Sequence, residues 1–370
     1  MNSPDDCEIE NNLLQAMQSN WGYSSFRPLQ KEAMQCVMRH RDSVVVLPTG
    51  GGKSLCYQTP AVCLKGMAVV VSPLISLMKD QVDALRTCGV PAAFINSTLS
   101  SQERRMIAQQ IDRRELKLLY VAPERLVDAR MIDYLKRSEV SMVAIDEAHC
   151  ISAWGHDFRP EFRQLRFLKD AFPTIGVHAY TATASERVRQ DIAEQLLLDS
   201  PSMLVGSFDR PNLVYRVLPA NNRFGQVCEV IERHIGEAGI VYCISRKEVD
   251  RTTENLVHRG YKAVAYHAGL TDDVRRRNQE AFLKDEANII VATVAFGMGI
   301  DKSNVRFVVH AGMPKSLEHY QQESGRAGRD GLEADCTLIF SGGDLVTWKR
   351  ILREGIPPSI SPRSNRFLHE

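Results

Sequence analysis

Pro48-Thr49-Gly50-Gly51-Gly52-Lys53-Ser54 follows the apolar run VVVL and precedes a helical segment. A strand, a glycine-rich turn, Lys-Ser and a helix form a cradle for phosphate. The glycines let backbone N–H groups converge on phosphate oxygens, and the helix start adds its positive dipole end. Lys53 is placed to reach the β- and γ-phosphates of ATP, and Ser54 to ligate Mg²⁺. The glycine that usually stands six positions before the lysine is Leu47 here. A second group, Asp146-Glu147-Ala148-His149, ends the run MVAI. Hydrolysis of Mg·ATP needs one carboxylate at the metal and one at the attacking water, so Asp146 is read as the Mg²⁺ ligand and Glu147 as the base. On its own a D-E pair is equally a helix start with acids in its first turn. A third group, Gln322 to Asp330, carries Arg326 and Arg329 among glycines. A rigid cation on a transferring phosphoryl group contributes about 10³–10⁵ in rate; a solvated basic helix end is the plainer alternative.

Between Cys150 and Pro160 lie Trp154, His156, Phe158 and Arg159. Flat rings offer stacking surfaces worth about 1–3 kcal/mol per unstacked base, and the cations can meet phosphate. The same stretch could instead plug its own domain as a hydrophobic loop. Arg275-Arg276-Arg277 reads as a solvated helix face before a phosphate track. His267 ends a strand run with no metal partner at ligand spacing. Lys349, Arg350 and Arg353 suit either a DNA edge or plain solubility.

These residues need rigid elements beneath them. Short β-branched runs recur at 43–48, 67–73, 118–123, 142–147 and 177–183, then at 239–243, 262–267, 288–293, 305–310 and 336–340. They are too short and too continuous for surface helices, and helical periodicity such as LISLMKDQVDALRTCG lies between them. The alternation predicts an α/β fold of two similar lobes, each a mainly parallel sheet flanked by helices. The expected lobes are 1–206 and 207–340, with a turn near GSFDRPNL (206–213), then a terminal helix and loose tail at 341–370.

Of the 370 residues 44% are hydrophobic and 25% charged, which excludes collagen, coiled coil and bulk disorder. Forty-six basic against 45 acidic side chains mean that any nucleic-acid surface is a local patch. The nine cysteines lie singly, with no C-x-x-C pair, so no zinc site is visible and reduced thiols are expected. The acidic start MNSPDDCEIE is not that of a leader, and no apolar run reaches about 18 residues. The expectation is a soluble protein of the cytoplasm or nucleoid, nuclear in a eukaryote, with no membrane partner.

In order and content these motifs resemble those of superfamily 2 helicases, and of the RecQ family of DNA helicases in particular, over roughly residues 13–340. The resemblance implies two tandem RecA-like lobes with ATP bound between them. It assigns Gln30 and Arg27, in Phe26-Arg27-Pro28-Leu29-Gln30, to adenine reading. Ser72-Pro73-Leu74 is similar to the segment that touches the DNA backbone. His149, Thr181 and Thr183 resemble the residues coupling hydrolysis to lobe movement, with Gln322 the functional counterpart of His149. Thr293 resembles a DNA contact and Asp301, in Phe296-Gly297-Met298-Gly299-Ile300-Asp301, a ribose contact. The stretch 150–160 resembles the RecQ aromatic-rich loop, which points toward DNA. RecQ proteins usually continue into a four-cysteine zinc module and a winged helix; here only Cys336 lies beyond position 243. The expected function is an ATP-dependent DNA helicase acting on single-stranded and forked DNA in recombination and repair, 3′→5′ by resemblance. The alternatives are an RNA-directed or purely translocating ATPase, and a DNA- or protein-binding module with poor turnover.

Overall fold

In the computed structural model, residues 4–354 are described except His156, Ala295 and 297–301. Asp301, Gly297, Met298, Gly299 and Ile300, and the expected tail after 354, lie outside the described residues. The chain forms two compact units, Met1–Asp209 and Arg210–Glu370.

The first unit holds β1 (Ser43–Val46), β2 (Met67–Val71), β3 (Ala92–Ile95), β4 (Leu118–Val121), β5 (Val140–Ile145), β6 (Val177–Thr181) and β7 (Ser202–Val205). They form one sheet in the order β3-β4-β2-β5-β6-β1-β7, and every pairing is parallel. The unbroken apolar strands follow from burial on both faces. Val44, Val69, Val71, Val143 and Ile145 face one core, and Val45, Val70, Ala144 and Tyr180 the other. Asp42, 3% exposed, ties the start of β1 to its neighbours by accepting from Val177 N (2.9 Å), Asp199 N (2.8 Å) and Lys169 Nζ (3.0 Å).

Register sets the site. Val46 pairs with Thr181 and Val71 with Ile145, so the chain leaves β1, β2, β5 and β6 side by side at one sheet edge. Ligands of open parallel sheets bind outside the carboxyl ends of the strands.

The second unit holds β8 (Leu213–Pro219), β9 (Ala238–Tyr242), β10 (Ala263–Tyr266), β11 (Ile289–Ala292), β12 (Val305–His310) and β13 (Ala334–Phe340). Their order is β10-β11-β9-β12-β13-β8, again all parallel. The closing helix Gly342–Glu354 is docked by Asp344. That carboxylate accepts from Arg223 Nη2 (2.8 Å), Met313 N (3.1 Å) and Ser341 N (2.9 Å), while Trp348 Nε1 donates to Met313 O (2.7 Å).

Candidate active site

The phosphate loop spans the gap between β1 and the helix Lys53–Cys63. Gly50 (φ 82°) and Gly52 (φ 77°) adopt the left-handed region that lets the loop fold back under the helix start. Leu47 is buried in the core, and its carbonyl accepts from Lys53 Nζ at 3.2 Å. The loop, Thr49 and Ser54 included, is partly exposed. Arg27 Nη1 donates to Gly50 O, and Gln30 Nε2 to Gly52 O at 3.2 Å. Gln30 Oε1 accepts from Arg27 N at 2.8 Å. The Arg27–Gln30 turn is therefore fastened to the phosphate loop itself.

Asp146 and Glu147 stand at the end of β5, beside the exits of β2 and β6. Asp146 is 7% exposed; its backbone N–H donates to Val71 O at 2.8 Å and its carboxylate accepts from Glu147 N at 3.0 Å. Burial first, and then the charge of Glu147, push the Asp146 carboxyl well above the usual carboxylate range, opposed by Lys53. Glu147 has φ 50°, a strained value for a non-glycine residue at a functional turn. The phenol of Tyr57 lies against both Asp146 and Ser54. A hydroxyl, a carboxylate and the repulsion between two acids form a hard oxygen set that a divalent cation relieves, so these residues fit Mg²⁺. Among the described residues His149, Cys150 and Asp157 also bring ligand-type atoms within 4.8 Å of one another. All three belong to the segment described next.

His149 is fully buried; its Nδ1 lies 2.9 Å from Thr181 Oγ1 and 3.4 Å from Glu147 Oε2. Thr181 Oγ1 in turn donates to Thr183 O at 3.1 Å. The three expected coupling residues therefore form one continuous hydrogen-bonded group, with Glu147 at ion-pair distance from His149.

The aromatic loop continues directly from this group. Ala148, Cys150 and Ile151 are buried, whereas Trp154 is 49% and Phe158 39% exposed. The plug alternative holds for the root of the loop and not for its rings. Arg159 donates to Asp157 Oδ2 (3.1 Å) and to Pro73 O (3.2 Å), joining the loop to the segment 72–74. Ser72 itself is 1% exposed, while Pro73 and Leu74 are half-buried. His156 lies outside the described residues.

In the second unit Arg326 and Arg329 follow the helix Leu317–Ser324, whose start Ser316 caps through His319 N (3.4 Å). Arg326 is 6% exposed and its guanidinium lies against the Tyr242 phenol, whose pKa burial raises and this cation moderates. Gln322 sits on the same helix, and Thr293 N donates to Tyr266 O (3.3 Å) past the end of β11. Arg275 and Arg276 pair with Asp272 and Asp273 one turn earlier, the geometry of a solvated helix face. His267 Nε2 lies 2.8 Å from Asp250 Oδ1.

Several residues that shape the site carry no motif signal. Arg210 Nη2 donates to Ala327 O (3.0 Å) and Gly328 O (2.8 Å), and Asn212 Nδ2 to Gly328 O (2.9 Å) and Leu332 O (2.8 Å). They hold the arginine loop from more than a hundred positions away, although the sequence marks them only as a turn. Ser152, Arg187 and Asp191 hold the aromatic loop, and helical periodicity alone gives Arg187 and Asp191 no such role.

Residues 27–192 match the DEAD/DEAH box helicase family and residues 222–331 the helicase conserved C-terminal domain. The chain is 46% identical over 346 residues to the ATP-dependent DNA helicase RecQ of Pasteurella multocida, covering 94% of this chain and 55% of that protein. It is 47% identical over 336 residues to the Bacillus subtilis ATP-dependent DNA helicase RecQ (90% and 57%), and 41% identical to the Xenopus laevis RecQ-like DNA helicase BLM (92% and 26%). The chain thus spans about half the length of the bacterial relatives it matches. Solved structures share the fold at low identity. S. cerevisiae Dbp5 bound to RNA and ADP BeF3 has a TM-score of 0.72 at 15% identity, covering 95% and 93% of the two chains. Mycobacterium smegmatis helicase Lhr bound to ssDNA and AMP-PNP has 0.71 at 19%, covering 95% and 50%. Fold and site together define a superfamily 2 helicase core with two tandem RecA-like lobes. The chain belongs to the RecQ family.

Proposed function

We propose that this chain is the motor of an ATP-dependent DNA helicase of RecQ type, translocating 3′→5′ on single-stranded DNA and opening forked DNA in recombination and repair. The observation that carries the reading is the continuity of one short segment. Residues 146–159 run from the buried Asp146 and the half-buried Glu147, through His149 and its bond to Thr181, to the exposed rings of Trp154 and Phe158. Strand occupancy and phosphate chemistry thereby share one piece of backbone. The identity to RecQ helicases supports DNA over RNA as the strand.

In this mechanism the loop amides at 50–54 and Lys53 take the β- and γ-phosphates, and Lys53 leaves the Leu47 carbonyl to do so. Arg27 and Gln30 take the adenine side and Asp301 the ribose. Ser54 and Asp146 would hold Mg²⁺, which would supply positive charge against the phosphates. Glu147 orients the water, whose oxygen attacks the γ-phosphorus as the bond to the bridging β-oxygen breaks; the water's proton passes toward Glu147. Arg326 and Arg329 stabilise the charge that develops, and Gln322 works with His149 in sensing it. His149, Thr181 and Thr183 relay the change. Ser72, Pro73, Leu74, Trp154, His156, Phe158, Arg159 and Thr293 contact the strand. Breaking a base-pair step costs on average about 1.4 kcal/mol, a modest load per step.

The test is steady-state ATP turnover with Mg²⁺, comparing no nucleic acid, single-stranded DNA and single-stranded RNA of equal length. The expected result is stimulation by DNA, abolished by EDTA and restored by Mg²⁺. Equal stimulation by RNA would favour a less selective ATPase, and binding without turnover a binding module.

A further inference from the structure

The aromatic loop is held from outside at two points, and both belong to one face of one helix. Arg187 and Asp191 lie four positions apart on the helix Glu186–Gln195, a spacing that puts them on the same face. The Arg187 guanidinium carbon lies 3.3 Å from the centroid of the Trp154 ring. Asp191 Oδ2 accepts from Ser152 Oγ at 2.6 Å, a short charge-assisted bond. Ser152 Oγ in turn accepts from Trp154 N at 3.2 Å. Gln195 Nε2 steadies the other Asp191 oxygen at 3.1 Å. The inner face of this helix, Val188 and Ile192, packs in the same core as Ala148 and Ile151 at the root of the loop.

This helix starts five residues after Thr181. Ser185 caps it through Val188 N (3.4 Å). A closed circuit results: Thr181 to His149, along the loop to Ser152 and Trp154, and back through Asp191 and Arg187 to the same helix. With Arg187 over one face, Trp154 still has about half its surface exposed. One ring face is thus backed by a cation while the side chain stays half-exposed.

We propose that the helix Glu186–Gln195 is the element that sets Trp154 for nucleobase stacking, with Arg187 and Asp191 as positioning residues. The consequence for DNA rests on the helicase reading above; the geometry does not. Backing fixes the ring before the strand arrives, so less ordering entropy is lost on stacking. It also gives a displaced ring a rigid lever to Thr181.

The experiment uses Arg187→Ala alone and in a Trp154→Ala background. It is paired with acrylamide quenching of Trp154 in a chain carrying Trp21→Phe and Trp348→Phe. Without DNA or nucleotide, Arg187→Ala should raise quenching of Trp154. With single-stranded DNA it should raise the half-saturating concentration for ATPase stimulation about 2- to 5-fold, the range of a cation–π contact at an exposed site. In the Trp154→Ala background it should add nothing. Asp191→Asn should act in the same direction. An additive effect that lowers the log-log salt slope by about one unit would mean that Arg187 meets a phosphate, and overturns the proposal. So would unchanged quenching, or a lowered half-saturating concentration, which would mean that Arg187 competes with the base. If DNA fails to stimulate the unaltered chain, the helicase reading fails, and quenching alone decides the clamp.

Discussion

His149 Nδ1 and Thr181 Oγ1 are 2.9 Å apart across 32 residues of sequence, and both side chains are fully buried. Thr181 has a single proton and directs it to Thr183 O, so toward His149 it can only accept. The hydrogen-bond inventory therefore assigns a proton to Nδ1, within 3.4 Å of Glu147. Thr181→Val removes this acceptor. The ratio of DNA-stimulated to basal turnover should fall about 5-fold, the worth of one net hydrogen bond. Thr181→Ser should restore it, and an unchanged ratio in the valine variant would remove Thr181 from the relay.

Lys53→Ala deletes the cation of the phosphate loop. ATP turnover should drop at least about 100-fold, as when an electrostatic partner of a developing charge is lost. The thermal transition should move little, because Lys53 is half-exposed and its ammonium donates to the Leu47 carbonyl within its own loop. Near-normal turnover would refute the phosphate-loop assignment.

Trp154→Ala removes a half-exposed ring from the strand surface. A stacked base is worth about 1–3 kcal/mol, so half-saturating DNA should rise by about 5- to 150-fold. Titration of ATPase stimulation with an oligonucleotide checks this; identical curves would return the loop to a structural role.

His178 is a pH sensor of stability rather than of catalysis. It is fully buried beside Ser43 Oγ (2.9 Å), and burial pushes its pKa down to about 3, against about 6.5 for a free imidazole. Between these values the unfolded chain binds a proton that the folded chain refuses. Stability is therefore whole above pH 6.5 and lost as pH falls toward 3, by up to about 1.4 kcal/mol per unit. Denaturant midpoints at pH 7 and 5 should separate accordingly, and His178→Gln should flatten that dependence.

Asp344 fastens the last described helix. Burial opposes its charge, but the Ser341 N–H, Arg223 and the Met313 N–H together hold its carboxyl below the usual range. Asp344→Asn strips the charge from a largely buried pair, which costs about 3–5 kcal/mol at most. The urea transition of the second unit should shift by that amount, and Arg223→Gln should show a similar loss. Additive losses in the double variant would mean that the two act separately.

All ten strand runs were readable as strands because burial on both faces leaves unbroken β-branched stretches. β3, β7 and β8 were not. Ala92 and Ala93 carry little strand preference, and β7 and β8 alternate or expose their side chains at the sheet margin. The motifs at 48–54 and 146–149 stand out in sequence because their residue types cluster at short spacing, and both end strands at the same sheet edge. Long-range holding does not: nothing about Asp191 or Asn212 in sequence names a partner 39 or 116 residues away. Gln30 is instructive, since its side chain bonds the very loop whose nucleotide it was read to recognise.

The strand that carries the phosphate loop has an awkward place in the order of synthesis. β1 pairs with β6 and β7, so Ser43 waits for His178 and Ser202. At about 5–20 residues per second a ribosome needs on the order of ten seconds or more to make that stretch. Until then Val44, Val45 and Val46 emerge with neither neighbour present, an apolar edge open to wrong pairing. Asp42 recruits both late strands at once, through Val177 N and Asp199 N. A nascent chain halted short of Val205 leaves one side of β1 bare, so the strand that leads into the 48–54 loop is among the last parts of its unit to be completed.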